Sequence, residues 1–464
     1  MMSKIKLTGL ILGLLGFFTP LLISFPGLSL AGHFALSIFL LAAVFWMFET
    51  IPIYSTSILV IFFQVILLSA EGLIDYTAIA AYDPVPYTRF IATLADPIII
   101  LFLGGFVLAD ASVKYDFDKN LTRILLQPFG SSTTAIMLGL MVVTAGLSAF
   151  MSNTATTAMM ITVIIPIIAK MDPEDPARIG IALSVPFAAN IGGIATPIGT
   201  PPNAVVIAAL NQQGLDVAFS SWMIYALPLA IVMLMITWKV LIWLYPPSVR
   251  KLSLNLDATL TRSAHAYLLY ITFAVTVLLW ITEGLHGIRS SIVALLPVTI
   301  LTLTTTFNKQ DIRKLPWEVL WLIAGGIALG ISMKETGLAD WMVGAIAWEQ
   351  LPHLLVLVVF GAVALLMSNF LSNTVTASLL IPLAITLVTS GIFEGAFGML
   401  MIGLVIALSA SFAMVLPIST PPNAIAVSTG ILKTKHMVLS GLIVGLIGLG
   451  LILLLTVVYW PFIL

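Results

Sequence analysis

The sequence predicts an all-α polytopic membrane protein with about eleven transmembrane helices and two re-entrant hairpins, arranged as two inverted repeats. Three observations lead to this fold class: an apolar composition, a series of apolar segments of span length, and an internal repeat. Of the 464 residues, 60% are hydrophobic and 8% are charged, and the mean hydropathy is +1.15. Water-soluble domains carry about 25% charged residues, so lipid is the main solvent of this chain.

The same composition excludes several classes of function. A net charge of −1 argues against a nucleic-acid partner. The chain has no cysteine, which excludes disulfides, thiolate metal sites and a cysteine nucleophile. No Ser/His/Asp, paired-Asp or His-rich constellation lies at membrane depth, so the sequence does not indicate an enzyme.

Apolar segments close to the ~20 residues that cross a bilayer follow one another along the chain. The first, at 7–25 within region 1–30, is predicted to be a transmembrane helix rather than a signal peptide, because no cleavage pattern of small residues closes it. Two apolar regions, 133–170 and 354–390, are each interrupted by a polar cluster and are predicted to be hairpins. The remaining crossings are predicted at 33–48, 53–70, 93–112, 178–209, 219–245, 265–282, 290–307, 317–333, 398–431 and 437–462.

The basic residues orient these segments. With the N-terminus inside, fifteen of the 19 Lys and Arg residues fall in cytoplasmic loops, and only Arg89, Arg289 and Lys334 fall in outer loops. This bias follows the positive-inside rule. We therefore predict a multi-pass protein of the bacterial inner membrane, with a cytoplasmic N-terminus and an outer C-terminus.

A shift of 220 residues matches the sequence to itself in two places. Residues 148–156 match 368–376, and residues 197–204 match 417–424, with thirteen identities over seventeen positions. Five predicted crossings separate the two Ser-Asn-Thr clusters, so the second copy is predicted to be upside down. Inverted repeats with interrupted hydrophobic segments in matching places are typical of secondary transporters.

These matches define the predicted domains. Inverted repeat 1 is expected over 31–250 and contains the first hairpin and a broken helix at 178–209. Inverted repeat 2 is expected over 251–464 and contains the second hairpin and a broken helix at 398–431.

The polar clusters suit two kinds of ligand. The tip Ser152-Asn153-Thr154 ends one helix and begins another, whose first N–H groups and positive dipole end favour a carboxylate. The carbonyls and serine oxygens before the break favour a hard monovalent cation. Three prolines each in 196–203 and 416–423 must unwind their helices and free further carbonyls. Two tips and two unwound loops would meet at one site with two anion-binding faces, which suits a dicarboxylate.

The charge balance adds sodium. No Lys, Arg or His occurs within 148–160, 190–205, 368–378 or 410–425. A dianion in a low-dielectric cavity without a cationic partner is very costly, so the positive charge must come from helix ends together with cations bound beside the dianion. Neutral oxygen ligands suit Na⁺, and no carboxylate in these windows can carry a proton. Sodium symport with two or more ions is the simplest interpretation. A single Ser-Asn-Thr motif would be better explained by packing between helices. A ligand site is the better explanation for the duplicated pair of motifs.

At these residues the sequence resembles the divalent anion–sodium symporter family, whose bacterial members take up succinate, malate and fumarate. The resemblance covers almost the whole chain, through segment order, hairpin placement and both motif pairs. It implies sodium-coupled uptake of C4-dicarboxylates by an elevator-type alternating-access mechanism, in a homodimer. The alternatives are a sodium-independent dicarboxylate exchanger, or the same fold carrying citrate, tartrate or sulfate.

The resemblance also implies a set of site residues. The first sodium site would use Ser148, Ser152, Asn153 and the backbone of Gly199, and the second would use Ser368, the backbone of Leu371, Asn373 and the backbone of Ser419. Substrate carboxylates would meet Asn153 and Thr154 on one side and Asn373 and Thr374 on the other, with Thr200, Thr420 and Pro421 beside them.

Overall fold

The computed structural model describes residues 3–76, 82–248, 263–346, 348–389, 391 and 395–463. Within these ranges every regular element is a helix, which confirms the predicted all-α fold class. The α-helices are α1 (Lys4–Leu22), α2 (Leu30–Met47), α3 (Ile53–Leu68), α4 (Tyr87–Ile91), α5 (Pro97–Lys114), α6 (Phe117–Leu126), α7 (Thr133–Ser148), α8 (Asn153–Ala169), α9 (Ala177–Gly193), α10 (Pro201–Gln212), α11 (Phe219–Leu244), α12 (Ala264–Ile281), α13 (Glu283–His286), α14 (Ser290–Val293), α15 (Leu295–Leu303), α16 (Lys309–Lys314), α17 (Trp317–Glu335), α18 (Leu338–Gly344), α19 (His353–Ser368), α20 (Asn373–Thr389), α21 (Gly395–Ser411), α22 (Pro421–Ser428) and α23 (Thr434–Val458).

Apolar side chains cover much of the outside of this bundle, as a bilayer requires. Seven helical stretches among the described residues are long and apolar enough to cross a membrane, and they include α2, α11 and α23. Leu446 and Leu454 on α23 are exposed, whereas Gly441 and Gly448 of the same helix are buried. One face of α23 therefore meets lipid and the opposite face packs on the protein.

One predicted crossing differs from the observed structure. The segment 290–307 forms two short helices, α14 and α15, interrupted at Ala294. Pro297 has no N–H to donate to the carbonyl of Val293, so a continuous helix loses a hydrogen bond at this point. The carbonyl oxygen of Ala294 also lies 2.4 Å from where a β-carbon on Gly104 would stand, so only glycine lets α5 pack here.

Four breaks, each separating two consecutive helices, lie where the sequence predicts them. We call the helices on either side of a break an interrupted pair. The hairpin helices separate at residues 149–152 (α7 and α8) and 369–372 (α19 and α20), and the broken helices separate at 194–200 (α9 and α10) and 412–420 (α21 and α22). The helix ends that face these breaks correspond closely: Ser148, Asn153 and Pro201 have their equivalents 220 residues later. All four hairpin helices are 16 or 17 residues long, shorter than the ~20 residues of a full crossing.

The four interrupted pairs pack on one another across the two halves of the chain. Helix α22 lies against α8 and α9, and α10 lies against α20 and α21. A glycine allows one of these close approaches: a β-carbon on Gly403 in α21 would lie 2.7 Å from Val206 in α10. Each unwound loop is thereby brought beside elements of the other half.

Ion pairs join loops that are predicted to share a side of the membrane. Arg89 pairs with Glu335 at 2.8 Å, and both fall in predicted outer loops. Lys114 pairs with Asp311 at 2.7 Å, and both fall in predicted inner loops. The loop predicted to join the two repeats, with its basic residues Arg250, Lys251 and Arg262 and the boundary at 250/251, lies outside the described residues.

Candidate functional site

The two Ser-Asn-Thr motifs form the starts of α8 and α20. Ser152 Oγ accepts a hydrogen bond from the backbone N–H of Ala155 at 3.5 Å, and Ser372 Oγ accepts one from Val375 at 3.2 Å. A serine in this role is an N-cap: it satisfies one N–H of the first turn and leaves others free. Each tip therefore presents a helix N-terminus with free backbone donors, as an anion site requires.

The first tip also gathers oxygen atoms. Ser148 ends α7 and Asn153 begins α8, and the Ser148 hydroxyl is in hydrogen-bond contact with the Asn153 carboxamide. Ser148 Oγ lies 2.9 Å from the carbonyl oxygen of Ala189 in α9, and the Ser148 side chain is buried. The oxygen-rich first cluster consists of Ser148, Asn153, Ala189 and Gly199.

The Asn153 amide can take two orientations in this cluster. With its nitrogen turned inward, it donates to the carbonyl oxygens of Gly199 at 3.1 Å and Ala189 at 3.3 Å. With its oxygen turned inward, it faces those two carbonyls and Ser148 Oγ, and such an all-oxygen group repels itself unless a cation lies among its members. The first orientation suits the cluster without a cation, and the second suits a hard cation with neutral oxygen ligands.

The unwound loop 194–200 is held in place by polar contacts to its carbonyls. Asn203 Nδ2 donates to the carbonyl oxygens of Thr196 at 2.8 Å and Gly193 at 3.2 Å. Trp222 Nε1 donates to the Ile194 carbonyl at 3.0 Å. Because the unwound loop cannot satisfy these carbonyls by helical hydrogen bonds, side chains from neighbouring helices do so.

Two glycines allow this loop to lie directly against the tip. A β-carbon on Gly193 would lie 2.7 Å from Asn153 Nδ2 and 2.8 Å from Asn153 Oδ1, and one on Gly199 would lie 2.4 Å from the Gly193 carbonyl oxygen. The loop backbone thus passes directly against the Asn153 amide, which brings the predicted ligands Asn153 and Gly199 together.

The second tip repeats part of this arrangement. Ser368 Oγ donates to Asn373 Oδ1 at 2.6 Å, so the same two side chains meet here as Ser148 and Asn153 in the first tip. Ser419 Oγ lies 3.1 Å from the carbonyl oxygen of Asn369 and 3.0 Å from the Leu416 N–H. The structure therefore brings Ser368 and Asn373 together. It places the Ser419 side chain against Asn369 instead, and Leu371 lies buried between Asn369 and Asn373 in the same tip.

The remaining predicted substrate contacts lie at the same four helix starts. Thr200 and Thr420 are the N-cap residues of α10 and α22, and each is 4% exposed. Thr154 is exposed and Thr374 is buried, whereas Pro421 is exposed at the first position of α22.

Several residues of the site escaped the sequence analysis. Ala189 contributes its backbone carbonyl to the first cluster, and a backbone contribution cannot be recognised from the type of residue. Asn369 Oδ1 accepts from the Val415 N–H at 2.9 Å, but Asn369 has no counterpart in the first repeat, where Ala149 stands. Asn190 donates to Thr420 Oγ1 at 3.2 Å across the two halves. Only Asn203 and Asn423 carried a signal, as matched asparagines of the repeat.

A cavity of about 390 Å³ adjoins the first unwound loop. Pro197 of this loop lines it together with Asn211, Asp96 and Arg289, which are close to predicted outer loops. Pockets for small ligands have volumes of about 300–1,000 Å³, so this space is of suitable size for a small organic anion to approach the loop.

Membrane helices interrupted in pairs around a buried, neutral, oxygen-rich site define a secondary transporter. A family model described as "Sodium:sulfate symporter transmembrane region" matches residues 5–464. The chain therefore belongs to this family, the divalent anion–sodium symporters that its motifs resemble.

Curated relatives match over nearly the whole chain. The sodium-dependent dicarboxylate transporter SdcS of Staphylococcus saprophyticus is 30% identical over 493 residues, which cover 98% of this chain and 91% of the relative. SdcS of Staphylococcus aureus strain USA300 is 31% identical over 502 residues, which cover 99% and 92%. An uncharacterized transporter of Haemophilus influenzae is 32% identical over 444 residues, which cover 90% of each chain.

Two solved transporters share the fold at low sequence identity. The YdaH transporter of Alcanivorax borkumensis aligns with a TM-score of 0.54 and 14% identity, over 81% of this chain and 88% of that one. MtrF of Neisseria gonorrhoeae, described as illuminating a class of antimetabolite efflux pumps, aligns with a TM-score of 0.55 and 10% identity, over 88% and 94%.

Proposed function

We propose that this protein is a secondary transporter that couples the uptake of C4-dicarboxylates such as succinate, malate and fumarate to the entry of sodium. The observation that carries the proposal is the first cluster, where the Ser148 hydroxyl, the Asn153 carboxamide and the carbonyl oxygens of Ala189 and Gly199 converge at a helix start with free N–H donors. The SdcS relatives, named as sodium-dependent dicarboxylate transporters, support the same substrate pair.

Two sodium ions are proposed, one at each tip. The first cluster supports the site proposed at Ser148, Ser152, Asn153 and Gly199, and adds the Ala189 carbonyl to it. The hydrogen bond between Ser368 and Asn373 supports the second site, for which Leu371 and Ser419 are the further proposed ligands. Among the described residues no group of three or more His, Cys, Asp or Glu could hold a metal ion, so both sites rely on neutral oxygens, which suit a monovalent cation.

The dicarboxylate is proposed to lie between the two tips. One carboxylate would meet Asn153 and Thr154 and the other Asn373 and Thr374, with Thr200, Thr420 and Pro421 beside them. Helix dipoles contribute only about half an elementary charge per helix start, and the four windows around the site contain no basic residue. The full positive charges beside the dianion are therefore proposed to come from sodium, which explains why the two substrates would travel together.

We propose alternating access by an elevator-type movement of the two inverted repeats. Equivalent residues of the repeats lie in unlike surroundings: Ile198 is 7% exposed against Gly105, whereas Ile418 is 73% exposed. Phe150 stacks on Phe219 with ring centroids 6.4 Å apart, whereas Phe370 is 63% exposed. In alternating access the two repeats swap conformations between the outward-facing and inward-facing states. Equivalent residues of the repeats are therefore expected to differ in exposure in any single state.

The proposed cellular setting follows from the charge distribution and the family. We propose an inner-membrane homodimer with a cytoplasmic N-terminus and an outer C-terminus. The agreement between ion-pair partners and predicted loop sides supports the relative sidedness of the loops.

Uptake into liposomes tests the proposal. Purified protein should accumulate labelled succinate when an inward sodium gradient is imposed. Equal uptake with potassium in place of sodium would exclude symport and favour an exchanger, and absence of succinate uptake would exclude the substrate. Because the family description names sulfate, excess unlabelled sulfate, citrate and tartrate should be added in parallel, and displacement of succinate by one of them at lower concentration than by succinate itself would reassign the substrate.

A further inference from the structure

Asn190 crosses from the first half of the chain to the second. It lies on α9, is 2% exposed, and its Nδ2 donates to Thr420 Oγ1 at 3.2 Å and to Asn423 Oδ1 at 3.4 Å. Both acceptors belong to the start of α22. A buried polar group is held by such bonds in one arrangement, because each unmade bond is costly in a low-dielectric interior.

The contact decides which hydrogen-bonding role is left to Thr420. Its hydroxyl oxygen accepts from Asn190 Nδ2 and also from the backbone N–H of Asn423 at 3.3 Å. A hydroxyl has two acceptor lone pairs and one hydrogen, so with both lone pairs used only the hydrogen remains to be donated. A carboxylate accepts hydrogen bonds and cannot donate them, so this is the role that a carboxylate ligand needs.

We propose that Asn190 is a positioning residue that fixes Thr420 as a hydrogen-bond donor to a substrate carboxylate. The inference rests on the proposed function and adds to it a residue outside the four helix starts. Asn190 also sets the Asn423 carboxamide, whose Nδ2 donates to the carbonyls of Leu416 at 3.0 Å and Met414 at 3.2 Å in the second unwound loop.

The same segment of α9 touches the first cluster. Ala189, the residue before Asn190, supplies the carbonyl oxygen 2.9 Å from Ser148 Oγ. A shift of α9 on cation binding at the first tip would therefore reach Thr420 through the adjacent residue. Asn190 would then link the occupancy of one half of the site to the donor geometry of the other.

The first repeat lacks a matching contact. The residue equivalent to Asn190 is Ala410, which has no donor, and α21 runs beside α10, where Gly403 meets Val206. Asn203 Oδ1, the equivalent of the Asn423 oxygen that Asn190 reaches, is buried without a partner among the described residues. A side-chain amide therefore donates to Thr420, and no equivalent residue donates to Thr200. The two carboxylates of a ligand would accordingly meet threonines with different hydrogen-bonding environments.

Kinetics in proteoliposomes test this role. Asn190→Ala should raise the succinate KM about tenfold at saturating sodium and leave kcat within about twofold, because the loss falls on binding. Asn190→Leu keeps a similar side-chain volume but has no hydrogen-bond donor, and it should show the same rise in KM. If the alanine variant fails to fold, the leucine variant tests the role of Asn190 in its place. Ser184→Ala is the matched control: it removes a buried hydroxyl from the same helix whose bond, at 2.8 Å to Ile181, is local, and its KM should match the wild type.

A double-mutant cycle separates positioning from a general structural effect. In a Thr420→Ala background, Asn190→Ala should raise KM by less than about twofold, since the group that it positions is absent. Wild-type KM in both Asn190 variants, or a full tenfold effect in the Thr420→Ala background, would overturn the proposal. Absence of sodium-driven succinate uptake by the wild type would instead overturn the proposed function, so the two failures are distinct.

Discussion

Replacing Gly193 by alanine should weaken sodium binding without unfolding the protein. The new β-carbon would stand 2.7 Å from Asn153 Nδ2, 2.8 Å from Oδ1 and 3.1 Å from Cγ. Ordinary contacts begin at 3.4 Å, so the amide must retreat by about 0.7 Å, the difference between 3.4 and 2.7 Å, which exceeds the ~0.5 Å tolerance of a binding site.

The effect of this substitution on folding and on sodium binding depends on which atoms must move. The atoms that must move are the end of a side chain rather than backbone, so the fold can absorb the substitution. The same atoms are the proposed sodium ligand, so the cluster with Ser148 and the Ala189 and Gly199 carbonyls loses its geometry. We expect the sodium concentration for half-maximal succinate uptake to rise about tenfold, which corresponds to about 1.4 kcal/mol.

Uptake of labelled succinate by proteoliposomes over a range of sodium concentrations measures this change. Gly146→Ala is the matched control, because Gly146 lies on α7 two residues before Ser148 and a β-carbon there meets nothing within 4 Å. Its sodium dependence should equal that of the wild type. A Gly193→Ala protein with sodium dependence within twofold of the wild type, or a Gly146→Ala protein with the same defect, would refute the reasoning.

Three further predictions address other parts of the site. Asn373→Ala should reduce sodium-driven succinate uptake to below about a tenth of wild type, with unchanged elution in size-exclusion chromatography; near-normal uptake would mean that the second motif only packs helices. Trp222→Phe removes the donor to the Ile194 carbonyl and should lower the free energy of unfolding by about 1–3 kcal/mol, measured by denaturant titration in detergent, and an unchanged midpoint would contradict this. A pH gradient without sodium should drive no uptake, because the windows around the site contain no titratable side chain; proton-driven accumulation of labelled succinate would show a coupling residue elsewhere.

The positions of the helix breaks could be predicted because local chemistry determines them. A serine followed by asparagine and threonine favours an N-cap over a continued helix, and α8 and α20 accordingly begin at Asn153 and Asn373. Paired prolines have no N–H for the preceding turn, and α10 and α22 begin at Pro201 and Pro421. Each of these signals lies within a few residues of the break that it causes.

The residues that hold the broken segments in place could not be predicted in the same way. Asn190 acts on α22 and Trp222 acts on the 194–200 loop, in both cases from distant parts of the sequence. Their roles depend on which helices become neighbours, and an asparagine or tryptophan in an apolar segment is equally compatible with packing. The interruption at Ala294 was also missed, because one proline within an apolar segment is frequent in membrane helices.

Both halves of the site join the unwound loop to the hairpin tip by a bond from a hydroxyl to a carbonyl, but with different residues. In the first half Thr196 Oγ1 donates to the Ala149 carbonyl, and in the second half Ser419 Oγ lies 3.1 Å from the Asn369 carbonyl. Thr196 is equivalent to Leu416, and Ser419 is equivalent to Gly199, so the bond is not a repeated motif.

The carbonyls that accept these bonds do correspond, since Asn369 follows Ala149 by 220 residues. Sequence identity between the repeats is therefore retained at the serine, asparagine and threonine side chains of the two Ser-Asn-Thr motifs and lost at the residues that make this connection, while the connection itself is present twice. A tip that moved independently of its loop would separate the Asn153 amide from the Gly199 carbonyl and so disrupt the proposed cation site. The connection keeps tip and loop together, which the geometry of the proposed site requires, and the residues that form it differ between the two proposed sodium sites.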